Sequence, residues 1–181
     1  MKLTLLCVSA VLTLLVSLHA AAEPENESRI NASLESSGCA YMVSVMLEES
    51  VGLKSSEARI FSLLLIHGDT QNIIEKKGFT FLDIKRAAQV MGLRAMAYRS
   101  DDLLLDLAQR KRQNKDGPYL LLKDNPEGVD RFYLYYFEDE EYVHLRDPFL
   151  GMVKVQRSEF NRMFVPYVLI IEGKTSDFTE V

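Results

Sequence analysis

One cysteine, Cys39, stands where a polar stretch, Leu34-Glu35-Ser36-Ser37-Gly38, gives way to the periodic apolar run Ala40 to Met46. A thiol at the start of a helix is a candidate nucleophile, because unpaired N–H groups and the helix dipole favour the thiolate. Nucleophilic chemistry also needs a group that exchanges a proton with the leaving atom. The candidates are His67 and His144. His67 lies beside Gly68 at a helix end and reads as a C-terminal helix cation on the surface. His144 sits in a strand-like segment and reads as an ordinary half-exposed strand residue, with rescue of a missing base as its sharper role.

The compartment decides what a lone thiol means. Met1-Lys2 is followed by an apolar run from Leu3 to Leu18, by Ala20-x-Ala22, and then by the polar Glu23-Pro24-Glu25-Asn26-Glu27. This is the pattern of a secretory signal peptide cut near Ala22, and the run is short for a membrane span. We expect an exported, periplasmic bacterial protein, so the sequons at Asn26 and Asn31 carry no weight. Of the two cysteines, Cys7 leaves with the signal, and Cys39 then has no disulfide partner within the chain. It is buried and inert, bridged to another molecule, or a working thiol.

The 181 residues carry a formal net charge of −5, with both signs interspersed. There is no basic stripe and no zinc-ligand spacing, so neither nucleic acid nor a bound metal is expected, and no cofactor is implied. Lys111, Arg112 and Lys115 read as a solvated helix end.

The elements that must position Cys39 follow from periodicity and capping. Cys39 to Ser50 reads as a helix ended by Gly52, and Ser56 as the cap of a second helix running to Gly68. Thr80 and Asp83 form a capping box for a third helix that ends before Gly92. Leu93 to Arg99 is a short strand, and Ser100 is expected to cap a leucine-rich fourth helix. Then the period changes. Tyr119 to Lys123, Phe132 to Glu138, Tyr142 to Arg146, Met152 to Gln156 and Tyr167 to Glu172 read as strands, with a turn over Asp124 to Gly128 and a short helix from Ser158. Helices first and then an antiparallel sheet make an α+β domain. We expect a signal at 1–22, a flexible lead-in at 23–37, one domain at 38–173 and a polar tail at 174–181. A hairpin around Asp139 and Glu140 sets Tyr135 opposite His144 and Arg131 near Pro148, beside Asp147. His144 then lies four residues along the partner strand from the point opposite Arg131, roughly 13 Å at ~3.3 Å per residue.

Three stretches carry a resemblance. Gly78-Phe79-Thr80-Phe81-Leu82-Asp83-Ile84 through Ala87-Ala88 and Gly92-Leu93-Arg94-Ala95 is one, Val143-His144-Leu145-Arg146-Asp147-Pro148-Phe149-Leu150-Gly151 is another, and Ser158-Glu159-Phe160 with Tyr167 to Ile170 is the third. In order and spacing they resemble the cysteine peptidases that process bacteriocins at double-glycine leaders, over roughly Ser33 to Glu172. The resemblance implies a papain-like fold, in which a cysteine opening a helix meets a histidine and an aspartate from the sheet. It places the nucleophile at Cys39 and the histidine-orienting aspartate at Asp147. Arg131 stands where the histidine should be, in Arg131-Phe132-Tyr133-Leu134-Tyr135. Ser33 stands at the place of the glutamine that stabilises the oxyanion, and Ala40 replaces the glycine after the cysteine.

An arginine can stabilise a thiolate, but its guanidinium keeps its proton near neutral pH and cannot act as the acid–base group. The leading expectation is therefore a peptidase-like domain impaired in turnover that binds a peptide or an exported polypeptide as a secretion accessory factor. A separate export ATPase or an outer-membrane secretion system would be its further partner, since no phosphate-binding loop is present. The alternatives are an active double-glycine-type peptidase and an intermolecular disulfide or redox role for Cys39. Without a histidine, Asp147 has a simpler reading too, as the first residue of an Asp-Pro turn paired with Arg131.

Overall fold

A computed structural model describes residues 38–76, 78–113, 117–123, 125 and 130–174. The signal segment, the lead-in with Ser33, most of the Asp124 to Gly128 turn and the tail after Lys174 lie outside the described residues. The chain runs α1 (Cys39–Val51), α2 (Glu57–His67), α3 (Thr70–Lys76), α4 (Phe81–Val90), β1 (Leu93–Arg99), α5 (Leu103–Arg112), β2 (Tyr119–Lys123), β3 (Arg131–Glu138), β4 (Tyr142–Asp147), β5 (Gly151–Gln156), α6 (Arg157–Met163) and β6 (Tyr167–Lys174). The strands form one antiparallel sheet in the order β1-β6-β2-β3-β4-β5. This is the expected α+β class.

Strand alternation divides the core between two sheet faces. Leu120, Phe132, Leu134 and Leu169 face α1 to α4, where Met42, Met46, Leu64 and Ile84 are fully buried. Leu121, Tyr135, Val143 and Leu145 face α5 and α6, meeting Leu107 and Phe160. Helices thus pack on both sides of the sheet.

Local chemistry explains most of the boundaries. Gly52 takes a left-handed conformation at φ +67 and closes α1 with its N–H on the Glu48 carbonyl. Ser56 caps α2 through the Arg59 N–H. The capping box of α4 is complete, with the Thr80 hydroxyl accepting from the Asp83 N–H and the Asp83 carboxylate accepting from the Thr80 N–H at 2.8 Å.

Three expectations need correction. The short helix α3 was not anticipated; Asp69 caps it by accepting from the Asn72 N–H at 3.1 Å. Asp102, not Ser100, caps α5, accepting from the Leu105 N–H at 3.2 Å, while buried Ser100 donates its N–H to the Pro166 carbonyl at the β1–β6 corner. The β3–β4 register also differs. Leu134 faces Arg146 and Tyr135 faces Leu145, then a bulge at Tyr136 sets Phe137 opposite His144. Two contacts hold this arrangement. The Asp139 carboxylate accepts from the Glu141 and Tyr142 N–H groups, which centres the turn one residue late. The bulged Tyr136 donates its hydroxyl to Glu49 of α1 at 2.7 Å, and Arg146 reaches the same carboxylate at 3.3 Å.

Candidate functional site

Helix α1 begins at a corner of the sheet. Gly38, at φ +65, precedes it, and a Cβ built there would stand 2.2 and 2.3 Å from the Cβ and Cγ of Pro148. Only a glycine allows both this backbone conformation and this approach. The Gly38–Pro148 contact therefore brings the start of α1 against the β4–β5 turn, so the segments carrying Cys39 and Asp147 converge. A glycine directly before a helix is the one local sequence signal for such an approach.

Cys39 is fully enclosed, at 0% exposure, among the side chains of the α1–α4 core. Burial pushes its thiol well above the ordinary range, and the charge of Asp83 pushes it further. Burial and the Asp83 charge thus both work against the thiolate that the helix start and Arg131 were expected to favour. Enclosure also removes the surface an intermolecular disulfide would need.

Asp83 is the residue whose second role was missed. It is 1% exposed. Beyond its capping box, its carboxylate accepts from the Thr80 hydroxyl at 2.7 Å and from the Asp69 N–H at 2.9 Å, with Arg86 at 3.9 Å. It ties the α2–α3 connection to α4 and places a negative charge near Cys39.

Asp147 is 2% exposed, and its Oδ1 accepts from the N–H groups of Phe149 and Leu150 at 2.8 and 2.9 Å. Burial alone would raise its carboxyl pKa. Those two N–H groups, the Tyr133 hydroxyl and the Arg131 charge outweigh burial and hold the carboxyl below its ordinary range. Arg131 opens β3, exposed, with its guanidinium 5.5 Å from the centre of the Phe149 ring. It also acts on the Tyr133 hydroxyl, so Arg131, Tyr133 and Asp147 form one polar group. A cavity of about 220 Å³ beside it is lined by Lys123, Asn125, Arg131 and Tyr133.

His144 is placed elsewhere. Its Nε2 lies 2.7 Å from Asp139 Oδ2 at the far end of the hairpin, and its ring stacks on Phe137 at 4.2 Å. This hydrogen bond is the largest influence holding the Asp139 carboxyl at about 2. The fold therefore brings together Arg131, Asp147 and the start of α1, and not His144. His67 ends α2, as read from the sequence. Among the described residues no cluster of ligating side chains could hold a metal ion, and no helix is long and apolar enough to cross a membrane.

With this geometry in place, the likeness to known proteins can be read. The sequence profile of the Peptidase C39 family matches residues 69–176, a span that includes Arg131 and Asp147 but begins after Cys39. The chain is 29% identical over 138 residues to a "Probable functional amyloid protease FapD" of Pseudomonas aeruginosa, covering 76% of this chain and 57% of that protein. The corresponding Pseudomonas fluorescens protein is 26% identical over 139 residues, with the same coverage. The chain thus spans somewhat over half the length of these relatives. Among solved structures, the peptidase domain of Streptococcus ComA, a bi-functional ABC transporter involved in a quorum-sensing pathway, superposes with a TM-score of 0.53 at 17% identity, over 68% of this chain and 82% of that one. That likeness supports the fold.

Proposed function

Because the chain belongs to the Peptidase C39 family, we propose that it is an exported peptidase-like domain that binds a segment of an exported polypeptide without cleaving it. The observation that carries this reading is the combination at one corner: Cys39 fully enclosed, with burial pushing its thiol up, and Arg131 in place of the acid–base histidine. A thiol desolvated in this way gives up its proton reluctantly, and a permanently protonated guanidinium cannot accept it. The same corner keeps a cavity and the exposed apolar side chains of Phe149 and Leu150 as binding surface. The likeness to Pseudomonas proteins named as probable functional amyloid proteases makes an amyloid-forming subunit the first class of polypeptide to try. An export ATPase or outer-membrane secretion system would act beside it as a separate protein. The apolar Leu3 to Leu18 segment supports a periplasmic location after cleavage near Ala22.

The second reading is an active cysteine peptidase. It is favoured by Cys39 opening α1 beside the Asp147 turn and by the protease description of those relatives. One experiment separates the two. The purified protein is incubated with a leader peptide ending in Gly-Gly and with an exported amyloid-forming subunit. Binding is followed by fluorescence anisotropy and cleavage by mass spectrometry. We expect saturable binding, no fragment, and no change in Cys39→Ala. A fragment that appears with the parent and vanishes in Cys39→Ala establishes the peptidase instead.

A further inference from the structure

We propose that Lys123 and Arg131 form a carboxylate site at the corner occupied by the family's histidine position, and that its ligand is a carboxylate carried by a polypeptide. The inference rests on the polypeptide-binding reading above and names what that site grips.

Lys123 and Arg131 face each other directly across β2 and β3. Like charges in directly opposed positions of an antiparallel pair destabilise the sheet. Among the described residues, neither side chain makes an ion pair within 4 Å to relieve this. Among the described residues, two nearby carboxylates make backbone hydrogen bonds: Asp147 with the Phe149 and Leu150 N–H groups, and Asp130 with the Asn125 N–H at 3.0 Å. Two cations are thus held side by side around a cavity of about 220 Å³ that also has Asn125 and Tyr133 in its wall. That volume suits a carboxylate and its flanking atoms, not a folded element.

The details favour a carboxylate on a chain. The Arg131 guanidinium lies over the Phe149 ring, so its fork is positioned before a ligand arrives, and that fork matches a carboxylate in bidentate fashion. A phosphate dianion would be repelled more strongly than a monoanion by the fixed charges of Asp130 and Asp147. Beside Arg131 the surface continues onto Phe149 and Leu150, which are 55% and 74% exposed, so a polypeptide could set apolar side chains there while its carboxylate enters the cavity. A free acid would gain nothing from that surface.

The test uses the full chain, expressed with its own leader and purified as the host processes it. Amide NMR follows titration with acetyl-Leu-Gly as the free acid, with the same dipeptide as its C-terminal amide, and with sodium acetate. We expect saturable shifts at Lys123, Arg131 and Tyr133 with the acid, at an affinity about tenfold or more above the amide, as a charge-assisted hydrogen bond requires. Lys123→Gln and Arg131→Gln should each abolish that preference. Lys123→Gln should not lower the melting temperature, because it removes a like-charge repulsion, whereas Arg131→Gln also removes a charge that acts on Asp147 and Tyr133. If the amide binds as tightly as the acid, carboxylate recognition fails while polypeptide binding stands. If acetate binds as tightly as the dipeptide acid, the ligand is a free anion and the proposal fails. If none of the three probes moves these signals, the site is refuted, and the binding and cleavage assay above decides separately whether the broader reading survives.

Discussion

Replacing Gly38 by alanine measures directly whether α1 is clamped to the Asp147 turn. Two effects add. A left-handed conformation costs a non-glycine residue about 1–2 kcal/mol. The new Cβ would also fall 2.2 and 2.3 Å from Pro148 carbons, distances that force a shift of the helix start or the turn. Overpacking of this kind costs about 1–3 kcal/mol. The sum is about 2–5 kcal/mol, large against the ~5–15 kcal/mol total of a domain. Gly52 supplies the control. It has almost the same backbone, φ +67, but an added Cβ meets nothing within 4 Å, so Gly52→Ala should show the conformational cost alone. Urea unfolding of the two variants, compared at equal m-values, isolates the contact as their difference. Displacing the helix start should also open the corner, so iodoacetamide should label Cys39 faster in Gly38→Ala than in Gly52→Ala. Equal destabilisation by the two substitutions, with equal labelling, would refute the convergence of Cys39 and Asp147 on which the site is built.

Further predictions concern the charges of the same corner. Since the folded Cys39 thiol titrates well above an unfolded one at ~8.5, the unfolded chain loses this proton first as pH rises. The neutral thiol's contribution is whole below that value and is lost as pH climbs toward the folded pKa, by up to ~1.4 kcal/mol per pH unit; Cys39→Ala should remove this part of the alkaline slope, and identical slopes in parent and variant would contradict the enclosed thiol. Asp83→Asn should destabilise by about 1–3 kcal/mol through its weakened hydrogen bonds to Thr80 and Asp69, and should lower the pH at which Cys39 begins to react, read by thiol labelling against pH. Asp147 has the opposite sign: its depressed carboxyl stabilises the fold above ~3.9, and that contribution fades as pH falls through the folded pKa, so Asp147→Ala should flatten the acid limb of a stability–pH curve. Tyr136→Phe should cost about 0.5–1.5 kcal/mol and change the amide shifts of Glu49 and Arg146, and unchanged shifts there would contradict the bulged register.

Much of this fold is written in local signals. The capping box of Thr80 and Asp83, the Ser56 cap and the Gly52 stop lie within four residues of what they terminate, so sequence periodicity finds them. What was missed depends on distant partners. The bulge at Tyr136 is fixed by a hydrogen bond to Glu49, 87 positions away, and nothing near Tyr136 announces it. Helix α3 has seven residues, too few for an apolar stripe to emerge. The environment of Cys39 was the costliest omission. A helix start is legible and argues for a thiolate. Whether the thiol faces solvent or the core, and whether a carboxylate lies behind it, depends on packing that spacing alone does not encode.

Asp147 illustrates how a residue expected at a catalytic position can carry a structural role of its own. In a catalytic reading it orients a histidine, and its presence would argue for turnover. Here its carboxylate ties the N–H groups of Phe149 and Leu150 into the turn that Pro148 presses against Gly38. Hydrogen bonds to a charged acceptor are worth about 1.5–3 kcal/mol each. The turn would lose both without it and leave two backbone donors to find other partners. That structural demand accounts for an aspartate at this position whether or not a histidine stands at 131. The same does not hold for Arg131, which caps no helix and closes no turn among the described residues. Its guanidinium lies on Phe149, near the surface, facing a lysine. Beyond its charge on the Asp147–Tyr133 group, folding gives no reason for this cation, so the polypeptide site proposed above is tested at Arg131 more than at Cys39 or Asp147.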